Sequence, residues 1–303
     1  MKIEPKKKSE IINAIERVEA FDLKTISIIE IENEFKSLLK GFKIVVPRYN
    51  PGIYLYRGRI CDKPLNISNV IYPPQSVIKC LGRANNIGQQ LFYTANSRNV
   101  PFYELSANVD DHIAIGTWKT KSKMVLNHIG FTDECKTCLK SDRDLGIIYK
   151  FVTDMNNFGD SNVLLHNYLA SKFTPMVKKN EEWRYKLSVA IANIFLTGNV
   201  IHGIMYPTIA MLGNADNVVL KPDFYMDSMD FVSIEYAVIT KKDGMRYSWD
   251  ILDSATKLDK SGNFMWSGRH LQWRVKKDGK YTMKREAGND VLYDEDGNRI
   301  DPY

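Results

Sequence analysis

At the start of the chain, apolar positions recur every three to four residues. Ile11, Ile12, Ile15 and Val18 fall at helical spacing behind Ser9, a fair N-cap, and residues 32–40 read as a second helix ending near Gly41. From residue 53 the period shortens to two. Residues 53–60 alternate as a strand that puts Arg57 and Arg59 on one face. Residues 62–80, with Pro73-Pro74, form a surface connector. A polar turn, Gly82-Arg83-Ala84-Asn85, is closed by Gly88, and Leu91-Phe92-Tyr93 follows as a short strand. Asn96-Ser97 predicts the cap of a helix that carries Pro101 near its start and Glu104 at its end. Residues 113–119 predict a strand. Asp160-Ser161 caps a helix through Leu164, Leu165, Tyr168 and Leu169. A second helix over 181–196 sets Trp183, Leu187, Ile191 and Ile194 along one side and stops at Gly198. Residues 201–205 form a buried strand that delivers Tyr206 and Thr208 at its end, and Val218-Val219-Leu220 is the next strand.

Beyond residue 228 the texture changes to aromatic and β-branched runs at 231–239, 245–249 and 279–283. They are punctuated by Lys242-Asp243-Gly244, Ser261-Gly262-Asn263, Asp278-Gly279 and Asp296-Gly297-Asn298, which are hairpin signals. No internal repeat or low-complexity linker stands out. The pattern predicts an α+β protein in three segments: a helical cover (1–49), a central domain (50–227) and a β-rich C-terminal extension (228–303).

Composition narrows the function classes. A hydrophobic fraction of 44% and a charged fraction of 26% are ordinary for a globular protein. No apolar run approaches the ~18 residues of a membrane span. The basic N-terminus lacks an apolar signal core, so cytoplasmic residence is expected. The net charge of +6 is dispersed, which argues against a nucleic-acid binder. The one tight basic run, Lys6-Lys7-Lys8, reads as a solvated tail. Basic surplus around a pocket suits a dinucleotide pyrophosphate as well. Four cysteines make no disulfide framework, and Cys135 and Cys138 read as reduced thiols rather than as a zinc site with His128. Asp110, Asp111 and His112 read as a turn of solvated carboxylates, so no metal is expected. His166 reads as a packing residue.

The chemistry concentrates between Arg57 and Glu104 and again near Thr208. Arg57-Gly-Arg59 offers two guanidiniums on one strand face, suited to charge-assisted bonds with pyrophosphate or ribose oxygens. Gly82-Arg83-x-Asn85 adds an arginine on a turn, Tyr93 an aromatic, and Glu104 a carboxylate. In order and spacing, Tyr56-Arg57-x-Arg59, Gly82-Arg83-x-Asn85 with Gly88, Tyr93, Glu104, and Tyr206-x-Thr208 before the 214–220 strand resemble the RES family, named for an arginine, a glutamate and a serine. The resemblance spans roughly residues 50–225. Asn86-Ile87 stands where that family has prolines. Thr208 stands where it has serine, keeping the hydroxyl but adding a methyl.

The resemblance implies a fold like that of ADP-ribosyltransferase toxins, with small mixed and antiparallel sheets and packed helices. It also implies consumption of NAD as substrate, often by the toxin of a toxin–antitoxin pair. Arg57, Glu104 and Thr208 are the implied catalytic residues, and Arg59, Arg83, Asn85, Tyr93 and Tyr206 the implied binding residues. The expected reaction is cleavage of the nicotinamide–ribose bond by a glycohydrolase or phosphorylase that depletes NAD in toxicity or antiviral defence, with no separate cofactor. Transfer of ADP-ribose to a macromolecule and a catalytically inactive NAD sensor or interaction module are the alternatives. Inorganic phosphate as acceptor, an antitoxin or regulatory protein, and a homo-oligomer are left open as partners.

Overall fold

A computed structural model of the chain describes residues 6–156, 158–268, 280–286 and 289–300. Helices α1 (Lys8–Glu19) and α2 (Ile28–Leu38) open the chain, followed by strands β1 (Arg48–Tyr49) and β2 (Tyr54–Ile60). Two 3-10 turns interrupt the connector to β3 (Phe92–Ala95), after which the short helix α3 (Val100–Glu104) leads to β4 (His112–Thr120) and β5 (Met124–His128). Helices α4 (Asp133–Leu139), α5 (Ile147–Met155), α6 (Asp160–Phe173) and α7 (Lys186–Leu196) precede β6 (Gly203–Pro207) and β7 (Asp216–Leu220). Helix α8 (Pro222–Ser228) leads into the long hairpin β8 (Met229–Asp243) and β9 (Arg246–Ala255). Strands β10 (Thr282–Glu286), β11 (Asn289–Tyr293) and β12 (Arg299–Ile300) follow. Among the described residues this is a mixed α+β protein of eight helices, a nine-stranded mixed sheet and a small three-stranded antiparallel sheet. No helix among them is long and apolar enough to cross a membrane.

The large sheet runs β1-β5-β6-β7-β3-β2-β4-β8-β9. Its centre is set by β6 and β7, in which every residue is buried. Because side chains alternate along a strand, the two strands feed two cores. Ile204, Tyr206 and Val219 meet a layer built from α1, α2, α6 and α7. Met205, Val218 and Leu220 meet Phe92, Trp118, Phe224 and Tyr225 on the opposite face. A third, smaller core gathers Phe102 of α3, Ile113 and Ile115 of β4, and Ala237 and Ile239 of β8. The hairpin beyond residue 228 extends the same sheet, with β8 pairing along β4 from His112↔Val238 to Thr120↔Met229.

Several helix ends differ from the sequence reading for local reasons. Helix α2 starts at Ile28 because Ser27 and Glu30 form a capping box: Ser27 Oγ accepts from the Glu30 amide while Glu30 accepts from the Ser27 amide. The segment 181–196 is not one helix. A 3-10 turn, Glu182–Tyr185, precedes α7. One five-residue turn is built twice, at Asp259-Lys-Ser-Gly-Asn263 and Asp294-Glu-Asp-Gly-Asn298. In each, the aspartate accepts from two downstream amides and from the asparagine side chain.

Two histidines are buried neutral. His166 stacks on Tyr149 at 3.7 Å between centroids, and burial lowers its pKa to about 3. His128, stacked on Phe131 and bonded through Nε2 to the Tyr49 hydroxyl at 2.7 Å, is lowered to about 4. An unfolded chain takes up both protons near pH 6.5. The folded state does not until about pH 4 and 3. Stability is therefore full above pH 6.5 and falls as pH drops through the window from 6.5 to between 4 and 3. Each ring contributes a slope of about 1.4 kcal/mol per pH unit. Urea unfolding between pH 7.5 and 5 checks this: stability should decline with acidity, and His166→Gln should flatten the decline by about one proton. An unchanged slope in that variant would remove His166 from the account.

Candidate active site

Strands β2 and β3 are neighbours in the sheet, yet they pair at one position only, Tyr56↔Ala95. Beyond it the sheet splits. The split is lined by Tyr56, Arg57 and Gly58 on one side and by Tyr93, Thr94 and Ala95 on the other, and it opens into a cleft of about 250 Å³. Arg57 spans the gap. Its Nη1 donates to the Tyr93 carbonyl of β3 at 2.8 Å and its Nε to the Val70 carbonyl of the connector at 3.0 Å. Burial lowers its pKa to about 10, with Arg59 adding to the effect, so it stays charged at neutral pH.

Glu104 faces the same cleft from the end of α3. Its Oε1 accepts hydrogen bonds from Thr208 Oγ1 and from Asn217 Nδ2, the latter at 2.7 Å. The donors come from the β6–β7 connection and from β7 itself. Asn217 lies on β7 opposite Tyr206, and Thr208 is the first residue past β6. That connection closes on itself through Thr208 N to the Ala215 carbonyl (2.9 Å) and Gly213 N to the Thr208 carbonyl (2.8 Å), with Gly213 at φ 75°.

An ion pair holds the connection from behind. Arg143 grips the Asp216 carboxylate through Nη1 (3.0 Å) and Nη2 (2.5 Å), and its Nε donates to the Gly213 carbonyl. Asn96 completes the clamp by donating to Asp216 and accepting from its amide.

The position of α3 is set from two sides. Gly58 lets it approach β2: a Cβ there would lie 2.4 Å from Pro101 Cβ. On the far side Phe102 stacks on Trp249 at 4.5 Å, and Tyr103 donates to the Met245 carbonyl at the hairpin tip. The β8–β9 hairpin thus backs the helix that carries Glu104.

The third wall is the 82–89 turn. Arg83 donates to the Phe173 carbonyl at 2.6 Å and to the Pro175 carbonyl at 3.1 Å, and packs between the rings of Tyr185 and Tyr206. The Tyr93 hydroxyl accepts from the Ala84 amide (3.0 Å) and donates to Asn85 Oδ1 (2.9 Å), tying the turn to β3. Gly82 is required beside that bond, since a Cβ there would sit 2.2 Å from Asn85 Oδ1. Burial raises the phenols of Tyr93 and Tyr206 well above the ordinary range, so both are neutral.

Arg57, Arg83, Tyr93, Glu104 and Tyr206 therefore line one cleft. Thr208, wholly buried, sits behind Glu104 as its hydrogen-bond donor. Arg59 reaches the Asn69 carbonyl from the same strand face as Arg57 but outside the cleft lining, and Asn85 holds the turn. Asn217 and Tyr185 line the cleft too, without a site role assigned to them from the sequence. Asn217 could have been found there: it is the polar residue directly before Val218-Val219-Leu220, in a strand whose residues are all buried. Among the described residues no group of three or more His, Cys, Asp or Glu is placed to hold a metal ion. Cys135 is buried in α4, and His128 spends its Nε2 on Tyr49.

Two features define the chemistry. Neither Arg57 nor Arg83 has a carboxylate partner among the described residues; both donate to main-chain carbonyls. Across from them stands one carboxylate, fixed by two neutral donors. Compared with protein-family models, curated proteins and solved structures, the chain finds no match in any of the three.

The clamp behind Glu104 can be tested by stability alone. Asp216 is 4% exposed at its side chain, so Arg143→Met leaves a buried carboxylate without its cation. The expected cost is about 3 kcal/mol, the low end for a broken buried pair because Arg143 keeps one edge in water. Arg184→Ala, which breaks an exposed pair with Glu181, should cost under ~1 kcal/mol. Denaturant melts of the two variants check the contrast, and equal losses would contradict it.

Proposed function

We propose that this protein is an NAD-consuming enzyme that cleaves the bond between nicotinamide and ribose. The observation that carries the proposal is the juxtaposition in one cleft of a doubly bonded carboxylate, Glu104, with two arginines that lack carboxylate partners. A ligand suited to it has anionic oxygens at one end and a centre that becomes cationic at the other. NAD has both: a pyrophosphate, and a ribose carbon that gains positive charge as nicotinamide departs. The likeness of Arg57, Arg83, Tyr93, Glu104 and Thr208 to the RES pattern supports the same reading, including an ADP-ribosyltransferase-like fold around the split sheet.

In this mechanism Arg57 and Arg83 hold phosphate or ribose oxygens by charge-assisted bonds. The aromatic walls, Tyr93 and Tyr206, flank the nicotinamide. Glu104 stabilises the developing ribosyl cation, and Thr208 and Asn217 hold its carboxylate in place. The C–N bond breaks with its electron pair leaving on nicotinamide. Water attacking the ribose carbon gives ADP-ribose and a proton; inorganic phosphate gives the 1-phosphate of ADP-ribose. Loss of NAD is the cellular consequence, consistent with a toxin or defence effector held in check by a partner protein.

Chromatography of NAD incubated with pure protein, with and without phosphate, identifies the products. Release of nicotinamide is expected, and NAD left intact would refute the proposal. Glu104→Gln keeps shape and removes charge. It should lower kcat on the order of 10²–10³-fold, about 3–4 kcal/mol, while NAD binding persists. Thr208→Ser should retain turnover, whereas Thr208→Val, which leaves Glu104 only the Asn217 donor, should lose roughly fivefold or more, about 1 kcal/mol or more. A fully active, folded Glu104→Gln protein would take the carboxylate out of the mechanism.

A further inference from the structure

The segment that carries Glu104 does little to hold itself. Helix α3 has five residues, and the chain after it passes through two left-handed positions, Ser106 at φ 50° and Asp110 at φ 71°. The β8–β9 hairpin grips this segment before, on and beyond the helix. Before it, Arg98 donates through Nε to the Glu235 carboxylate of β8 at 2.7 Å and lies over the Trp249 ring at 5.2 Å. On the helix, Phe102 stacks on Trp249 at 4.5 Å, and the Tyr103 hydroxyl donates to the Met245 carbonyl at 2.5 Å. Beyond it, Lys242 Nζ donates to the Ala107 carbonyl at 2.9 Å. There too the Asp110 amide donates to the Ile239 carbonyl, and the Ile239 amide to the Asp111 carbonyl. Trp249 is central to this grip. It sits on β9 opposite Ile239 and packs against both Arg98 and Phe102.

We propose that the β8–β9 hairpin controls the turnover of the site from outside the cleft, with Trp249 and Tyr103 as positioning residues for Glu104; the inference rests on the NAD reading above. Thr208 and Asn217 both donate to Oε1. They pin one carboxylate oxygen, and the direction of the other follows from where the main chain of residue 104 lies. That main chain is placed by α3, which lies between Gly58 and the hairpin. Gly58 sets how closely the helix approaches β2, which is a limit and not a hold. The hairpin supplies the hold. A carboxylate that stabilises a developing cation acts through its distance from it, and a misplacement of about 1 Å can cost ~10²-fold in rate. Phe102, Tyr103 and Trp249 belong to the small third core, apart from the two cores that flank β6 and β7. Loosening them therefore shifts α3 and leaves the centre of the sheet intact.

The test separates turnover from binding and from stability. Trp249→Ala should lower kcat for NAD by ~10–10²-fold and change KM by less than about threefold, because Arg57 and Arg83 lie on other elements. Trp249→Phe, which keeps an aromatic face for Phe102, should recover most of the turnover. Tyr103→Phe removes one hydrogen bond and should lower kcat roughly fivefold; it carries the test if Trp249→Ala does not fold. Hydrogen exchange reads the same coupling without NAD. The amides of Leu105, Ser106 and Ala107, bonded back to carbonyls of α3, should exchange faster in the positioning variants, while those of β6 and β7 stay protected. Wild-type kcat in folded Trp249→Ala, or in Tyr103→Phe where the first does not fold, would overturn the assignment and leave NAD cleavage intact. So would a loss confined to melting temperature, or a kcat loss that Trp249→Phe does not repair. If wild-type protein does not turn over NAD, the NAD reading fails and the control of turnover falls with it. Unchanged exchange at 105–107 would overturn the coupling of hairpin and helix whatever the substrate is.

Discussion

Helix α3 is only five residues long, too short to hold its direction by its own hydrogen bonds. The site depends on what fixes its last residue, Glu104, to the β6–β7 connection: the bonds from Thr208 and Asn217. The surrounding structure serves that link. Gly58 admits the helix to β2, Trp249 and Met245 of the hairpin press it from behind, and the Arg143–Asp216 clamp keeps the two donors in register. The hairpin beyond residue 228 is thus coupled to the site through packing, though it contributes no residue to the cleft lining.

The second constraint is the split between β2 and β3. A split sheet exposes main-chain groups that need partners. Here Arg57 supplies one to the Tyr93 carbonyl of β3, which places a positive charge in the cleft wall. Arg83 does the same for the end of α6 and the chain beyond it. Both guanidiniums thus meet their hydrogen-bonding needs in part while their charge remains uncompensated. The proposed anionic ligand would neutralise them.

Much of the framework was legible in the sequence because period-two and helical stripes report burial directly. Residues 53–60 and 218–220 give β2 and β7 almost to the residue, since alternation or full apolarity is what a central strand requires. The turns after residue 228 identify hairpin strands but not their neighbour. Pairing of β8 with β4 is a long-range choice that local chemistry does not encode. The helical spacing of Trp183, Leu187 and Ile191 predicts one continuous helix through Tyr185, and a 3-10 turn preserves much of that spacing. Among the site residues, Arg57, Arg83, Tyr93, Glu104 and Tyr206 meet in the cleft, and Thr208 joins them from behind. Arg143 and Asp216 carry no signal of their own, and Asn96 reads as a helix cap where the structure bonds it to Asp216. Their meaning comes from a clamp between segments far apart in the chain.

A crystal structure of the Glu104→Gln protein soaked with NAD tests the central claim most directly, because the variant should bind without turning over. The account predicts nicotinamide riboside in the cleft, its reacting carbon beside the side chain at position 104 and phosphate oxygens at the guanidiniums of Arg57 or Arg83. An empty cleft at saturating NAD, or density for the dinucleotide elsewhere on the molecule, would contradict it.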